Sequence, residues 1–180
     1  PCGTLFPYTT LFRSRDIGRA MTADIDPRHP GYECWSSADG NLYSATGKPI
    51  GKRPGSMNSG IWWDGDLLRE LLDHRGERGN WHGAVYRWNW ETEEQELIWE
   101  DPETRSNNWT KGNPVLSADI LGDWREEMIW RSKDNTELRI ITTTIPTPHR
   151  LPCLMQNRQY RLGIAWQNVG YNQPPYPSFY

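Results

Sequence analysis

The sequence predicts an all-β fold that forms part of a β-propeller, and three observations support this. Sixteen Gly and 14 Pro residues punctuate short segments rich in β-branched and aromatic side chains, which is typical of strands joined by turns. Alternating apolar and polar residues predict two hairpins, 84–90 with 95–99 and 127–131 with 137–143. An acidic turn followed by an apolar strand recurs along the chain. Residues 67–72 (LLRELL) have a helix-like composition, but we predict a strand there as well.

The recurring turn is a degraded form of the nine-residue pattern D-x-D-x-D-G-x-x-E. The first copy keeps Asp24, Asp26 and, one residue late, Glu33; the second keeps Asp64, Asp66 and Glu70; the third keeps Asp119, Asp123 and Glu127. The copies begin at residues 24, 62 and 119, so they are 38 and 57 residues apart. Those intervals bracket the roughly 40 to 50 residues of a four-stranded propeller blade. Blades bury their apolar faces only against neighbouring blades, so two or three of them cannot close a ring.

The first residues differ in origin from the rest of the chain. Residues 4–14, TLFPYTTLFRS, have the sequence of a translated sequencing-library adapter, although a short strand with a Thr-rich turn is the alternative interpretation. We therefore predict that residues 1–14 are an artefact and that residues 15–180 are the C-terminal part of a propeller domain. This interpretation also predicts that the natural protein has further sequence before Arg15.

Composition excludes several classes of partner. The net charge is −3 and the Lys and Arg residues are mixed among Asp and Glu, so we expect neither a nucleic-acid nor a membrane surface. Eleven Trp and eight Tyr against three Phe favour either stacking on sugars or packed sheets, and core packing is the better explanation for most of the Trp. The spacing of the His residues does not indicate zinc, and Cys34 and Cys153 alone do not establish a disulfide.

The acidic turns are candidate calcium sites. Carboxylates at alternating positions of a tight loop point to one side, where they offer the oxygen ligands that calcium prefers. The third copy keeps three carboxylates and is the best candidate, followed by the second copy. The alternative is an acidic turn that is held by hydrogen bonds from its own backbone and binds no ion.

Three other segments are candidate ligand loops. Residues 106–114 (SNNWTKGNP) are polar, with Lys111 beside Gly112, and a solvated turn is the alternative interpretation. Residues 24–33 place Arg28 between two prolines that stiffen the loop. Residues 165–175 (AWQNVGYNQPP) could stack on and hydrogen-bond a sugar, although packing of the tail would explain them equally well.

Four segments resemble one enzyme family: GRAMTADIDPRHPGYE (18–33), SMNSGIWWDGDLLRELLD (56–73), SNNWTKGNPVLSADILGDWREE (106–127) and residues 141–180. From residue 15 onward the chain resembles the C-terminal portion of the rhamnogalacturonan lyases of polysaccharide lyase family 11. The resemblance implies an eight-bladed propeller that binds several calcium ions, with its N-terminal portion missing here. It also implies Arg28 and Lys111 as the catalytic pair. Substrate contacts are implied at Asn108, Trp109, Thr110, Asn168, Gly170 and Tyr171.

The implied reaction is β-elimination at the α-1,4 bond from rhamnose to galacturonate in rhamnogalacturonan I. We expect Lys111 to take the proton from carbon 5 and Arg28, with calcium, to stabilise the developing charge, with both side chains meeting over one groove. The alternative is a calcium-binding propeller that holds carbohydrate or another protein without catalysis. We further expect a secreted protein that is monomeric at full length, and an isolated fragment that is inactive.

Overall fold

A computed structural model describes residues 17–108, 111–169 and 174–179 of this chain. The first sheet contains β1 (Ala20–Ala23), β2 (Glu33–Ser36), β3 (Asn41–Tyr43) and β4 (Pro49–Lys52). The second contains β5 (Ser59–Ile61), β6 (Glu70–Arg75), β7 (His82–Asn89) and β8 (Glu94–Asp101). The third contains β9 (Thr104–Arg105), β10 (Leu116–Ala118), β11 (Glu127–Ser132) and β12 (Leu138–Ile141). A 3₁₀ turn (Leu154–Gln156) and helix α1 (Arg158–Trp166) follow.

All three sheets are antiparallel, which confirms the all-β prediction. The first two sheets have the strand order of the chain, whereas in the third both β9 and β10 pair with β11. Both predicted hairpins are present as β7–β8 and β11–β12. The predicted strand at residues 67–72 is only partly formed, because β6 begins at Glu70 and residues 67–69 lie outside it. Within the described residues no sheet closes on itself, and no helix is long and apolar enough to cross a membrane.

The sheets pack against one another through two apolar clusters. One cluster joins the first sheet to the second through Met21, Trp35 and Leu71. The next joins the second sheet to the third through Val85 and Trp130, and a Cβ added at Gly83 would lie 2.7 Å from the Trp130 ring. A third cluster packs the C-terminal segment beneath the turns. Within the described residues, which leave out Trp109, six Trp are buried, and this confirms core packing for most of the Trp: Trp35, Trp62, Trp63, Trp88, Trp124 and Trp130.

The repeat of acidic turns has a structural basis in its glutamates. The three glutamates are the first residues of β2, β6 and β11, and one carboxylate oxygen of each accepts two backbone N–H groups of the preceding turn. Glu33 accepts from residues 25 and 26, Glu70 from residues 63 and 64, and Glu127 from residues 120 and 121, at 2.9–3.2 Å. These bonds satisfy amides that would otherwise be buried without partners. Glu33 comes one residue late because the turn before it spans 24–32, one residue more than 62–69.

The three turns 24–32, 62–69 and 119–126 lie together, and we call this side of the sheets the acidic end. The amide of Arg69 donates to the carbonyl of Asp24 at 2.8 Å, and the amide of Glu126 donates to that of Trp62 at 3.0 Å. The β6–β7 and β11–β12 turns lie at the other termini of the same strands, which we call the opposite end. The two ends separate the candidate site residues into two groups.

Candidate functional site

Lys111 lies in an excursion from the first strand of the third sheet. Arg105 pairs with Arg131 and Leu116 pairs with Ile129, so the chain leaves the edge of β11 after Arg105 and rejoins the same edge at Leu116. Ser106 closes this loop, because its hydroxyl donates to the Asn108 carbonyl at 2.7 Å and accepts the Asn113 amide at 3.1 Å. The predicted contact residues Trp109 and Thr110 lie outside the described residues.

The Lys111 loop packs on the opposite end of the second sheet. The Ser106 amide donates to the carbonyl of Trp81 at 2.9 Å. Gly112 has φ 55°, and a Cβ added there would overlap the imidazole ring of His74. Only glycine meets both demands at position 112, since other residues rarely adopt a positive φ and all of them carry a Cβ. The loop is therefore held by the neighbouring sheet as well as by its own.

A polar cluster surrounds His74. Nδ1 of His74 lies 2.6 Å from Oδ1 of the buried Asp73, and the same carboxylate oxygen accepts a hydrogen bond from the side-chain Nδ2 of Asn58. The imidazole also packs edge-on against Trp81, with ring centroids 4.4 Å apart. Arg19 joins the cluster from the start of the first sheet, because its Nη1 donates to the Asn58 carbonyl at 3.4 Å. We call these residues, with the Lys111 loop, the lysine cluster.

Helix α1 brings Asn168 to the lysine cluster. The Asn113 side chain donates to Oδ1 of Asn168 at 2.7 Å, and Nδ2 of Asn168 donates to the Val115 carbonyl at 2.5 Å. Gln167 anchors this segment by accepting the Ser117 amide at 2.6 Å and donating to its carbonyl at 2.8 Å. The structure thus brings Asn168 and Asn108 to the same loop as Lys111. Gly170 and Tyr171 lie outside the described residues.

Arg28 lies at the acidic end. Its Nη2 forms an ion pair with Oδ2 of Asp26 at 2.6 Å, and its guanidinium lies 5.1 Å from the ring centroid of Trp90. Burial acts to raise the pKa of Asp26, but hydrogen bonds from Arg28 outweigh it and the pKa is lowered. Arg28 and the Lys111 loop contact opposite ends of the second sheet, Trp90 at one and His74 at the other. The described residues therefore do not bring Arg28 and Lys111 together over one groove.

The second acidic turn has the geometry of a cation site. One oxygen from each of Asp64, Asp66 and Glu70 lies within 4.8 Å of the other two. Burial, and then the nearby Asp64 carboxylate, hold the pKa of Glu70 well above its usual value, and the same two causes raise the pKa of Asp66. The Arg87 guanidinium hydrogen-bonds Oδ2 of Asp64. Crowded carboxylates of this kind, of which Asp64 and Glu70 are buried, favour a hard divalent cation, which would stabilise their charged forms.

The first acidic turn shares this charge repulsion. Burial, followed by the Asp26 and Asp66 carboxylates, raises the pKa of Asp24 to about 6. Burial raises the pKa of Glu33 to about 7, and its Oε1 is buried without a hydrogen-bond partner in the described part of the chain. A cavity of about 550 Å³ lies between the first and second turns, with Asp24 and Asp66 in its wall.

The third turn, which the sequence favours most as a calcium site, has carboxylates that are already fully hydrogen-bonded. Asp119 accepts the amides of Gly122 and Leu154 at 2.7 Å each. Asp123 accepts from the amide and guanidinium of Arg125, and Glu127 accepts from two backbone amides and the Thr142 hydroxyl. A calcium site in this copy therefore stays a prediction, beside the alternative of a hydrogen-bonded turn without an ion.

Comparison with known proteins decides the family. The family model for the rhamnogalacturonan lyase family 11, C-terminal domain, matches residues 3–180. The chain belongs to this family. It is 52% identical over 171 residues to the rhamnogalacturonan endolyase YesW of Bacillus subtilis (strain 168). The aligned region covers 94% of the chain and 26% of YesW. It is 48% identical over 178 residues to the rhamnogalacturonan exolyase YesX of the same organism. This alignment covers 92% of the chain and 28% of YesX.

Solved structures of the family have the same fold. The crystal structure of YesW aligns with a TM-score of 0.84 at 53% identity, covering 92% of this chain and 27% of that one. The rhamnogalacturonan lyase PL11 of Bacillus licheniformis aligns with a TM-score of 0.83 at 52% identity and the same two coverages. The chain therefore spans about a quarter of the length of the lyases that it matches.

The sequence alone did not identify His74, Asp73, Asn58 and Arg19 as members of the lysine cluster. Arg19 directly precedes β1, Asn58 directly precedes β5, and Asp73 and His74 lie in β6, so they are far apart in the sequence. The one local signal was the Lys111–Gly112 pair, since a glycine beside a candidate base indicates a close approach by another group. The sequence does not show that this group is His74.

Proposed function

We propose that this chain is the C-terminal domain of a lyase that cleaves the α-1,4 bond between rhamnose and galacturonate of rhamnogalacturonan I by β-elimination. The observation that carries the proposal is the lysine cluster, in which Lys111, Asn108 and Asn168 come together in a family whose relatives are named as rhamnogalacturonan lyases. Because the chain spans about a quarter of those relatives, the complete activity requires the rest of the enzyme.

Lys111 is the proposed base. The proton on carbon 5 of galacturonate is weakly acidic, so its removal requires a base within hydrogen-bond reach and a cation near the carboxylate. A neutral amine can accept the proton, whereas a guanidinium stays protonated and cannot. Asn108 and Asn168 supply amide groups beside Lys111 that can hydrogen-bond a sugar hydroxyl.

The cation that faces the substrate carboxylate has two candidates. Arg28 is the residue that the family resemblance implies, but its contacts lie at the acidic end. Arg19 lies in the lysine cluster through its hydrogen bond to Asn58. The geometry favours Arg19, because a single galacturonate unit can contact two side chains only if they lie on the same side of the sheets.

Calcium fits the second acidic turn, where Asp64, Asp66 and Glu70 would hold it. When bound, the ion would supply positive charge to three crowded carboxylates. The turn lies at the acidic end, so we assign the ion a structural role in fixing the connection between β5 and β6. With the ion in this role, the lyase activity would depend on calcium because the ion stabilises the folded domain, and not because it contacts the substrate.

We also propose that the three sheets are consecutive blades of a propeller in a secreted, monomeric enzyme. Exposed apolar groups on the two outer sheets support this arrangement. The first sheet has an open cavity of about 710 Å³ lined by β1 and β2, and Leu138 and Ile140 on β12 are each 63% exposed. Further blades would cover both faces.

The test uses a chimera of YesW in which residues 15–180 of this chain replace the corresponding C-terminal part, here called the YesW chimera. Incubation with rhamnogalacturonan I is followed by the absorbance of the unsaturated uronate that β-elimination creates. We expect product at a rate within about tenfold of YesW itself. Binding of the polysaccharide without product would overturn the proposal and would favour a non-catalytic carbohydrate-binding module.

A further inference from the structure

We propose that His74 is a positioning residue for Lys111, an inference that rests on the proposed lyase function. His74 lies near the end of β6, in the second sheet, whereas Lys111 is attached to the third. The His74 ring contacts the backbone of Gly112, the residue directly after Lys111. Through this contact a side chain of one sheet sets the location of the proposed base on the next.

The His74 ring is itself fixed on several sides. Its Nδ1 lies 2.6 Å from Oδ1 of the buried Asp73, and the side-chain amide of Asn58 donates to the same oxygen. Trp81 packs against the ring at 4.4 Å, and the hydroxyl of Tyr86 donates to the His74 carbonyl at 3.4 Å. A ring with these partners has little freedom to rotate, so it is a firm surface for the Lys111 loop.

The loop transmits that position to Lys111 over a short distance. The amides of Lys111 and Gly112 both donate to the Asn108 carbonyl, at 3.2 and 3.3 Å, so the two residues belong to one hydrogen-bonded turn. The start of the loop is held by the bond from Ser106 to Trp81, the residue that also packs on His74. A shift of Gly112 would therefore move Lys111 with it.

The expected effect is on the rate of proton transfer. A displacement of about 1 Å at a catalytic group lowers rates by about 100-fold. We expect His74→Ala in the YesW chimera to lower kcat by about 10- to 100-fold while KM changes less than about threefold, because substrate contacts remain. His82→Ala is the control, since His82 pairs with Glu100 on the neighbouring strand, and it should keep near-native kinetics.

One further variant separates positioning from chemistry by the imidazole. His74→Asn keeps a polar side chain beside Asp73 and most of the contact with Gly112, so it should retain at least about tenfold more activity than His74→Ala. An Asn variant as slow as the Ala variant would overturn the proposal, because the imidazole itself would then be required. Thermal unfolding of each variant verifies that it folds.

Gly112→Ala tests the contact from the other side. Its Cβ would overlap the His74 ring, so we expect a loss of kcat similar to that of His74→Ala. In the double variant the overlap is relieved, and the combined loss should be clearly smaller than the product of the two single losses. Independent, multiplicative losses would overturn the proposal.

Lys111→Ala distinguishes this inference from the proposed function. If the chimera keeps its activity without Lys111, the assignment of the base fails whatever His74 does. If Lys111→Ala is inactive but His74→Ala has the native kcat, the proposed function stands and the positioning role fails.

Discussion

The guanidinium of Arg69 lies 3.1 Å from the carboxylate of Glu126, and both side chains are buried. This ion pair joins the second acidic turn to the third. Glu126 also accepts the Trp62 amide and the Tyr160 hydroxyl, so the C-terminal helix is tied to the same point. Arg69 in turn lies over the Trp62 ring, 4.3 Å from its centroid. A charged hydrogen-bond network therefore holds the acidic end together.

We predict that Glu126→Ala destabilises the domain by about 3–5 kcal/mol, because it leaves the Arg69 cation buried without a counter-charge. Urea unfolding of the YesW chimera, followed by Trp fluorescence, measures the change. Replacing both partners with apolar residues, Arg69→Met with Glu126→Leu, should restore part of the loss. If the double variant is less stable than Glu126→Ala, packing around the pair matters more than its charge.

Lys111→Ala and Lys111→Arg should each lower product formation in the chimera by about 100-fold or more, within the range expected for removal of a general base. Arg fails here because its guanidinium remains protonated. Lys133→Ala is the matched control, since Lys133 lies in the exposed β11–β12 turn. A Lys111→Arg enzyme with near-native rate would contradict the assignment of the base.

Arg19 and Arg28, the two candidate cations for the substrate carboxylate, give opposite expectations for kcat/KM. If a guanidinium in the lysine cluster binds the substrate carboxylate, Arg19→Ala lowers kcat/KM by at least about tenfold, the usual loss for a charge-assisted hydrogen bond. Arg28→Ala should then change it by less than about threefold, because Arg28 pairs with Asp26 at the other end. The reverse order would establish Arg28 as the substrate cation and require it to approach Lys111 in the complete enzyme.

Local patterns in the sequence predicted the strands and turns well, and for a physical reason. Alternation along 84–90 and 127–131 reflects which residues face the core. The spacing of the turn glutamates reflects hydrogen bonds from backbone amides to the glutamate carboxylate, inside segments of nine or ten residues. The state of the third turn was not predictable in this way. One carboxylate oxygen of Asp119 accepts the amide of Leu154, 35 residues away. Likewise His74 and Gly112 meet only because two sheets pack together.

Calcium should stabilise the chimera through the second turn. We predict that Asp66→Asn reduces the calcium-induced rise in unfolding temperature, because it removes one of three carboxylates that share the site. Asp123→Asn is the control from the third turn, where both carboxylate oxygens already accept hydrogen bonds from Arg125. Equal effects of the two substitutions would contradict the assignment of the site to the second turn.

The first turn predicts how stability depends on pH when divalent cations are removed. Burial raises the pKa of Glu33 to about 7, and burial with its acidic neighbours raises that of Asp24 to about 6. Both values lie above those of the unfolded chain, so the folded state binds more protons between about pH 4 and pH 7. Stability from these groups is therefore greatest at low pH and is lost as the pH rises to about 7.

In EGTA, the urea midpoint of the chimera should fall between about pH 4 and pH 7, and Glu33→Gln, which stays neutral, should make this fall smaller. An equal fall of the midpoint in Glu33→Gln and in the unsubstituted chimera would contradict the contribution of Glu33.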